Sequence, residues 1–376
     1  APARNGLLVS TMKHLSRLLP VLLVSLSVFA SCDISQPSSS SIDDSTISSL
    51  PPSSSQPTLQ YELYQNPIYD SDFPDPTIVR HSDGYFYAYS TGTHIIKSVD
   101  LANWDYLGRA IETRPTWGTT NANIWAPDVV YINGQYVMYY SLSRWDDPNP
   151  GIGIATSNHP GGPWIDHGKM FLSDEIGVNN SIDPMVFVDF DGRVYMIWGS
   201  FRGIYAIELT ADGLDFVGGN LQSAADNKTR LAGYDTDRAL DVNTFEGAYV
   251  IYRDGYYYLF LSNGQCCGGS YSYNVRVARA TSILGPYEDA SGRSMLNGDV
   301  GTYVVYGNSI FVAPGHNSII RDDAGDDWLL YHAYPGEVRN KRVLLLDKLL
   351  WDERGFPALL GTTPSNNQKK GPQFYR

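Results

Sequence analysis

Residues 254–262, DGYYYLFLS, open on an Asp-Gly pair and run on as aromatic and aliphatic residues closed by a serine. A turn pair feeding so short an apolar run reads as a strand entered through a hairpin, not as a helix. The same unit recurs as DGYFYAYS from Asp83, NGQYVMYYS from Asn133, DGRVYMIWGS from Asp191 and DDWLLYHAY from Asp326, at successive intervals of 50, 58, 63 and 72 residues, taken with Asp254 in order. Each interval has room for four short strands and elaborated loops. The spacing therefore predicts an all-β chain folded as a five-bladed β-propeller. Strand count alone would also suit a sandwich, but the five-fold recurrence argues against it. Convincing amphipathic helices are missing from the sequence, which argues against a barrel of alternating strands and helices.

Ahead of these turns stands a second recurring piece: DFPDPTIVRHSDG (72–84), IWAPDVVYINGQ (124–135), SIDPMVFVDFDG (181–192), TFEGAYVIYRDG (244–255) and HNSIIRDDAGDD (316–327). Most copies place a polar or acidic residue just before an apolar strand. In a propeller the innermost strands surround one axis, so residues opening them face a common cavity although they lie far apart in sequence. Asp83, Asp191 and Asp254 sit in hairpin turns and are explained by turn chemistry. Asp75 and Asp183, each followed by Pro and an apolar strand, repeat an arrangement across two blades. Glu246, between Phe245 and Gly247, has no turn to make. These three carboxyls form the candidate catalytic set, of the kind that general acid and base chemistry at a sugar acetal requires.

The composition narrows the partners. Forty acidic residues against 27 basic ones give a formal charge of −13, which disfavours nucleic acid. A neutral glycan is compatible with that balance, and the 27 Tyr and 8 Trp supply flat faces for sugar rings as well as for the core. Trp125, opening WAPDV, and Trp145, in the polar loop SRWDDPNPG (143–151), are candidates for substrate contact. Of three cysteines, Cys266 and Cys267 are adjacent in the body of the chain; a vicinal disulfide is possible in an oxidising setting but not required. No second cysteine pair accompanies them, so no zinc site is expected there.

The N-terminal region reads in pieces. Residues 1–11 precede a plausible initiator Met12 and are expected to be upstream or vector-derived. Residues 12–31 have a basic start and an apolar stretch, the layout of an export signal, and the ending Phe29-Ala30-Ser31-Cys32 resembles a bacterial lipoprotein processing site. On this reading a lipidated Cys32 anchors the protein in the outer membrane, facing the periplasm or the cell surface. Residues 32–60 form a Ser/Pro-rich tether. Residues 61–376 are the propeller, expected to act as a monomer and to need no organic cofactor.

The ordered series FPDPTIV, WAPDV, SIDPMVF, GSFRGIYAIEL, FEGAYVIYRDGYYYLFLS, CCGG with YNVRVARA, and GHNSII resembles glycoside hydrolase family 43, and within it the endo-acting α-1,5-L-arabinanases, over residues 66–355. The resemblance implies an inverting enzyme with Asp75 as general base, Glu246 as general acid and Asp183 as the carboxylate that orients the acid and raises its pKa. Such an acid and base stand about 6.5–9.5 Å apart to leave room for water. It also implies that His316 lies near a metal ion, usually calcium, on the propeller axis and held mainly through waters. Trp125, Asn180 and Ser181 are implied sugar-binding residues, Phe73, a variation beside the base, is expected to reshape the substrate-binding site, and Cys266 and Cys267 would shape sugar subsites from a loop beside the cleft. The CCGG and SFRGI segments, and the short stretch after WDERGFP (351–357), favour arabinan over xylan as substrate. The enzymatic alternatives are exo-arabinanase, α-L-arabinofuranosidase and β-xylosidase action; the non-enzymatic one is a glycan-binding lipoprotein. The stretch DNKTRLAGYDTDRALDVNT (226–244) is long enough to close one side of the cleft, as exo action would need.

Overall fold

The computed structural model describes residues 57–234 and 245–376. The leader, Cys32, residues 33–56 of the tether and the second half of the segment before Glu246 lie outside the described residues. Backbone pairing begins at Thr58, whose N–H donates to the Arg376 carbonyl at 3.2 Å.

Five antiparallel sheets follow one another along the chain, each strand pairing with the next in sequence. The innermost strands are Thr77–Arg80, Asn123–Ile132, Met185–Val188, Phe245–Arg253 and Phe311–Arg321 in blades one to five. The recurring units supply the second strands: Phe86–Ser90, Gln135–Ser143, Val194–Trp198, Tyr256–Asn263 and Asp327–Pro335. In blades two and four the hairpin is a two-residue turn, Asn133-Gly134 and Asp254-Gly255, with all four residues at positive φ. That conformation matches the twist of the flanking strands, and Asn-Gly and Asp-Gly adopt it at least cost. The other three blades use the five-residue loops 81–85, 189–193 and 322–326. Helical segments are short, Ser173–Ile176 and Leu221–Asn227.

The core is divided among the seams between blades. One apolar cluster fills each pair of neighbours: Tyr89 and Tyr140 between blades one and two, Phe171 and Trp198 between two and three, Phe245 and Tyr257 between three and four, Phe260 and Tyr331 between four and five, and Phe86 and Leu330 between five and one. The two faces of every sheet are therefore covered, which explains why its central strands read as near-continuous apolar runs and lack alternation.

Blade five has three strands of its own, and the N-terminal segment closes it. Ile68 N–H donates to Leu344 O at 3.0 Å, Leu344 N–H to Tyr69 O at 3.1 Å and Phe73 N–H to Arg342 O at 2.8 Å. Asn66 accepts the Leu346 N–H at 2.9 Å and the Tyr64 hydroxyl donates to the Leu346 carbonyl at 2.7 Å. The segment from Tyr64 to Phe73 thus covers the edge of Val343–Lys348 and ties the ends of the ring together, leaving no exposed edge at the seam.

Candidate active site

The paired registers Thr77 with Tyr89, Asp128 with Tyr139, Met185 with Ile197, Tyr249 with Phe260 and Ser318 with Leu330 occupy the same place in each blade. Two residues upstream of each first member stand Asp75, Ala126, Asp183, Gly247 and His316, and all five have left-handed backbone, with φ of 58°, 39°, 58°, 56° and 49°. This conformation is costly for residues other than glycine, although Asp tolerates it better than most. Repeated in every blade, it turns the chain into the innermost strand and sets Asp75, Asp183 and His316 on one ring about the axis. Glu246 lies one position earlier, because Gly247 takes the turning place in blade four.

These residues open onto a cleft of about 750 Å³ lined by Asp75, Asp183, Glu246, Trp125, Trp145 and His316, among others. Asp75 is the most heavily partnered carboxylate. Thr91 Oγ1 donates to its Oδ2 at 2.6 Å, Arg342 Nη1 to its Oδ1 at 3.2 Å, and the Nδ1 atoms of His316 and His332 each stand 3.4 Å from Oδ1. Burial alone would raise its pKa, but the Arg342 guanidinium, the two histidines and the Thr91 hydroxyl outweigh it and hold the carboxyl well below the ordinary range. Burial pushes both histidines below their ordinary value, His332 furthest, so Arg342 is the lasting positive charge at neutral pH.

Glu246 and Asp183 are shifted the other way. Glu246, 8% exposed, is raised by burial above all, with the Asp75 charge adding, against the Ser200 and Tyr273 hydroxyls and Arg342, which oppose the rise; Ser200 Oγ donates to its Oε2 at 2.6 Å. Asp183 is raised well above the ordinary range by burial and then by the neighbouring Glu246 and Asp75 charges, with the Gly247 N–H reaching its Oδ2 at 3.3 Å. Glu246 and Asp183 therefore hold a proton at pH values where a solvated carboxyl has lost it. Burial comes first for both, with charge repulsion behind it, from Asp75 on Glu246 and from Glu246 and Asp75 on Asp183. One cleft thus carries a carboxylate kept ionised and a carboxyl kept protonated, the pairing that acid and base catalysis needs.

Among the remaining sequence candidates, Trp125 and Trp145 line the cleft with ring centroids 5.5 Å apart, and Trp145 is 71% exposed and open to a ligand. Asn180 lines it as well, its Nδ2 donating to Ser200 O at 3.2 Å. Cys266 and Cys267 are joined as a vicinal disulfide on the cleft wall, packed near Tyr271 and Tyr273. Phe73 and Ser181 do not line it. Phe73 is 1% exposed in the seam between blades five and one, edge-on to Tyr69, so it packs the closure. Ser181 is fully buried, donating to Val178 O at 2.8 Å and accepting from Trp198 Nε1 at 3.0 Å, so it braces the turn that carries Asp183.

Sequence reading missed Arg342, His332, Thr91, Ser200 and Tyr273. His332 stood in the fifth unit, a lone histidine in an apolar strand, and was the one legible signal. It also missed a group that could hold a metal, His81, Asp83 and His159, whose donor atoms lie within 4.8 Å of one another.

The model of the glycosyl hydrolases family 43 matches residues 64–357. The chain belongs to glycosyl hydrolase family 43. It is accordingly a hydrolase of glycosidic bonds, on the propeller described above. It is 32% identical over 301 residues to an extracellular exo-α-(1→5)-L-arabinofuranosidase of Cellvibrio japonicus, covering 77% of this chain and 86% of that protein. It is 32% identical over 298 residues to the extracellular endo-α-(1→5)-L-arabinanase 1 of Bacillus subtilis, covering 76% and 86%. Among solved structures, the family 43 endo-arabinanase of Bacillus licheniformis shares the fold with a TM-score of 0.66 at 31% identity, over 77% of this chain and 98% of that one. Both endo- and exo-acting proteins therefore stand among the relatives of this family 43 enzyme.

Proposed function

We propose that this family 43 hydrolase cleaves internal α-1,5-L-arabinofuranosidic bonds of arabinan with inversion. The observation that carries the reading is the opposed protonation of Asp75 and Glu246 in one cleft. Asp75, ionised, takes a proton from water as that water attacks the anomeric carbon. Glu246, protonated, gives its proton to the departing glycosidic oxygen. Asp183, itself raised by burial and by the Glu246 charge, sits beside the acid and orients it. The reaction is a single displacement, which needs the acid and base on opposite faces of the bond. Arabinan as the substrate is supported by relatives named for it, and the Trp125 and Trp145 pair offers faces for furanose rings.

A calcium ion on the axis beside His316 fits the donors present. Asn317 Oδ1 and Ser318 Oγ are buried oxygens without a hydrogen-bond partner among the described residues, and hard oxygens with bridging water suit calcium. Bound there, the ion would add fixed positive charge near the carboxylates. Export to the cell exterior accords with the relatives' description as extracellular; the lipid anchor at Cys32 remains part of this proposal.

The test is the time course of products from linear α-1,5-arabinan, with xylan and an aryl arabinofuranoside alongside. An early spread of oligomers supports endo action. A single short product from the first time point assigns exo action instead, and turnover confined to xylan or the aryl glycoside overturns the arabinan reading.

A further inference from the structure

We infer that His81, Asp83 and His159 form a binding site for a divalent transition metal, Zn2+ foremost, which bridges blades one and two at the end of the propeller opposite the cleft. His81 and Asp83 belong to the loop 81–85, which follows the innermost strand Thr77–Arg80, whereas Asp75 precedes that strand. His159 follows Gly151–Ser157, the third strand of blade two, whose start is on the cleft side near Asp147. The three residues come from two blades, yet one donor atom from each lies within 4.8 Å of the others. The His81 and His159 rings meet edge to face, with centroids 4.9 Å apart.

Two of the three donors, His81 and Asp83, already have groups that aim them. The Tyr136 hydroxyl faces His81 Nδ1 at 2.5 Å, the Tyr87 hydroxyl donates to Asp83 Oδ2 at 3.1 Å, and the Tyr85 N–H donates to Asp83 Oδ1 at 2.8 Å. Partners of this kind on the far side of a ligand fix its orientation in metal sites. Turn chemistry accounts for Asp83 but not for two imidazoles converging on it from neighbouring blades. No described residue hydrogen-bonds the Nε2 of either ring, which leaves both nitrogens for a ligand.

The donor set decides the ion. Two imidazoles and one carboxylate, completed by water, suit Zn2+ and its neighbours, whereas Ca2+ prefers oxygen alone. Tetrahedral zinc would draw the donors to roughly 3.4 Å apart, about 1.4 Å closer than their present limit of 4.8 Å, within reach of side-chain rotation on exposed loops. One internal cost applies. Gly161 N–H donates to His159 Nδ1 at 3.0 Å, so the neutral ring carries its proton on Nε2. Ligation through Nε2 moves that proton to Nδ1 and releases the Gly161 contact, which weakens binding. An ion held by both blades would strengthen the seam between them by mass action.

The experiment is calorimetric titration of the tag-free, chelator-treated full chain with ZnCl2, NiCl2 and CaCl2, paired with thermal melts. One equivalent of Zn2+ is expected to bind and raise Tm, with no competition from Ca2+. His159→Ala and Asp83→Asn should each weaken Zn2+ at least tenfold while leaving the metal-free melt and arabinan hydrolysis unchanged. Absence of Zn2+ binding by the unaltered chain overturns the site. So does undiminished binding by the two variants, which would move the ion elsewhere, for example to the axial histidines.

Discussion

The backbone N–H of Asp75 donates to Nδ1 of His332 at 3.0 Å, joining the first innermost strand to the centre of the fifth blade. His332 is fully buried and held neutral, and an Nδ1 that accepts a hydrogen bond leaves the ring proton on Nε2. The histidine therefore positions the backbone that carries the base without contributing a charge to it. That division of labour leaves Arg342 to keep Asp75 ionised.

Arg342→Gln should raise the acid limb of the kcat/KM profile by about one to three pH units, the range by which a close opposite charge lowers a carboxylate. The sign follows from the depressed pKa of Asp75: with the guanidinium gone, the base stays protonated to higher pH and activity appears later on the rise. An acid limb that stays in place would show that the Thr91 hydroxyl suffices without the guanidinium.

Glu246→Gln removes the transferable proton while keeping the shape and the Ser200 contact. Hydrolysis of arabinan should fall about 10²–10⁴-fold with binding of arabino-oligosaccharides retained, read by calorimetry on the variant. Turnover at the original rate would take Glu246 out of the acid role.

Asp183→Asn tests what keeps Glu246 protonated. Glu246 is raised by burial and by the Asp75 charge, both of which the substitution leaves in place, whereas its own charge, behind burial, is what raises Asp183. The basic limb of kcat/KM should therefore stay above that of a solvated carboxyl in the variant. A limb that falls to the solvated range would mean that Asp183, not burial, keeps Glu246 protonated.

The five-fold architecture was legible because turn residues and apolar runs are local signals, repeated in each of the five units. The catalytic carboxyls were legible for a related reason: Asp75 and Asp183 sit at the same register of their blades. What makes that register functional, the left-handed backbone at Asp75, Ala126, Asp183, Gly247 and His316, has no common residue type and so left no sequence signature. Arg342 and Tyr273 act through space from loops and strands far from the carboxyls, and only the closed ring brings them near. Phe73 and Ser181 were misplaced because adjacency in sequence to the turning residue says nothing about which way the neighbouring side chain points. The closure of blade five by Tyr64–Phe73 was hidden likewise, since pairing between residues about 280 apart carries no periodicity.

Gly247→Ala probes the turning position directly. An added Cβ would stand 3.1 Å from the His316 ring and 3.3 Å from Ser262 Oγ, at a φ of +56° that also disfavours alanine. His316 must shift, and with it the atoms facing Asp75 and Asp183. A loss of kcat with a modest fall in Tm is expected, whereas Gly84→Ala, also at positive φ but with open space around it, should lower Tm without lowering kcat. Equal kcat in the two variants would remove His316 from the working geometry.

Asp128 links three blades below the cleft, and its titration should be visible in stability. Thr77 Oγ1 of blade one donates to its Oδ1 and the Val186 N–H of blade three to its Oδ2, both at 2.8 Å. Burial, working against those hydrogen bonds, pushes its pKa up to about 6. An acid whose folded pKa exceeds its unfolded value of about 3.9 stabilises the fold fully below that lower pKa, and loses the contribution as pH rises through the folded one. Asp128→Asn keeps an acceptor for the Val186 N–H and can donate its amide to the Thr77 hydroxyl, so it should fold while lacking the titration. The stability of the Asn variant minus that of the parent, from urea denaturation, should therefore grow by up to about 3 kcal/mol between pH 4 and pH 7, the other carboxyls cancelling in the difference. Asp128→Ala instead strands a buried N–H and should cost about 1–3 kcal/mol for it at every pH. A parent-to-Asn difference that stays flat across this range would mean that Asp128 is ionised in the fold throughout and that its two donors, not burial, set its charge.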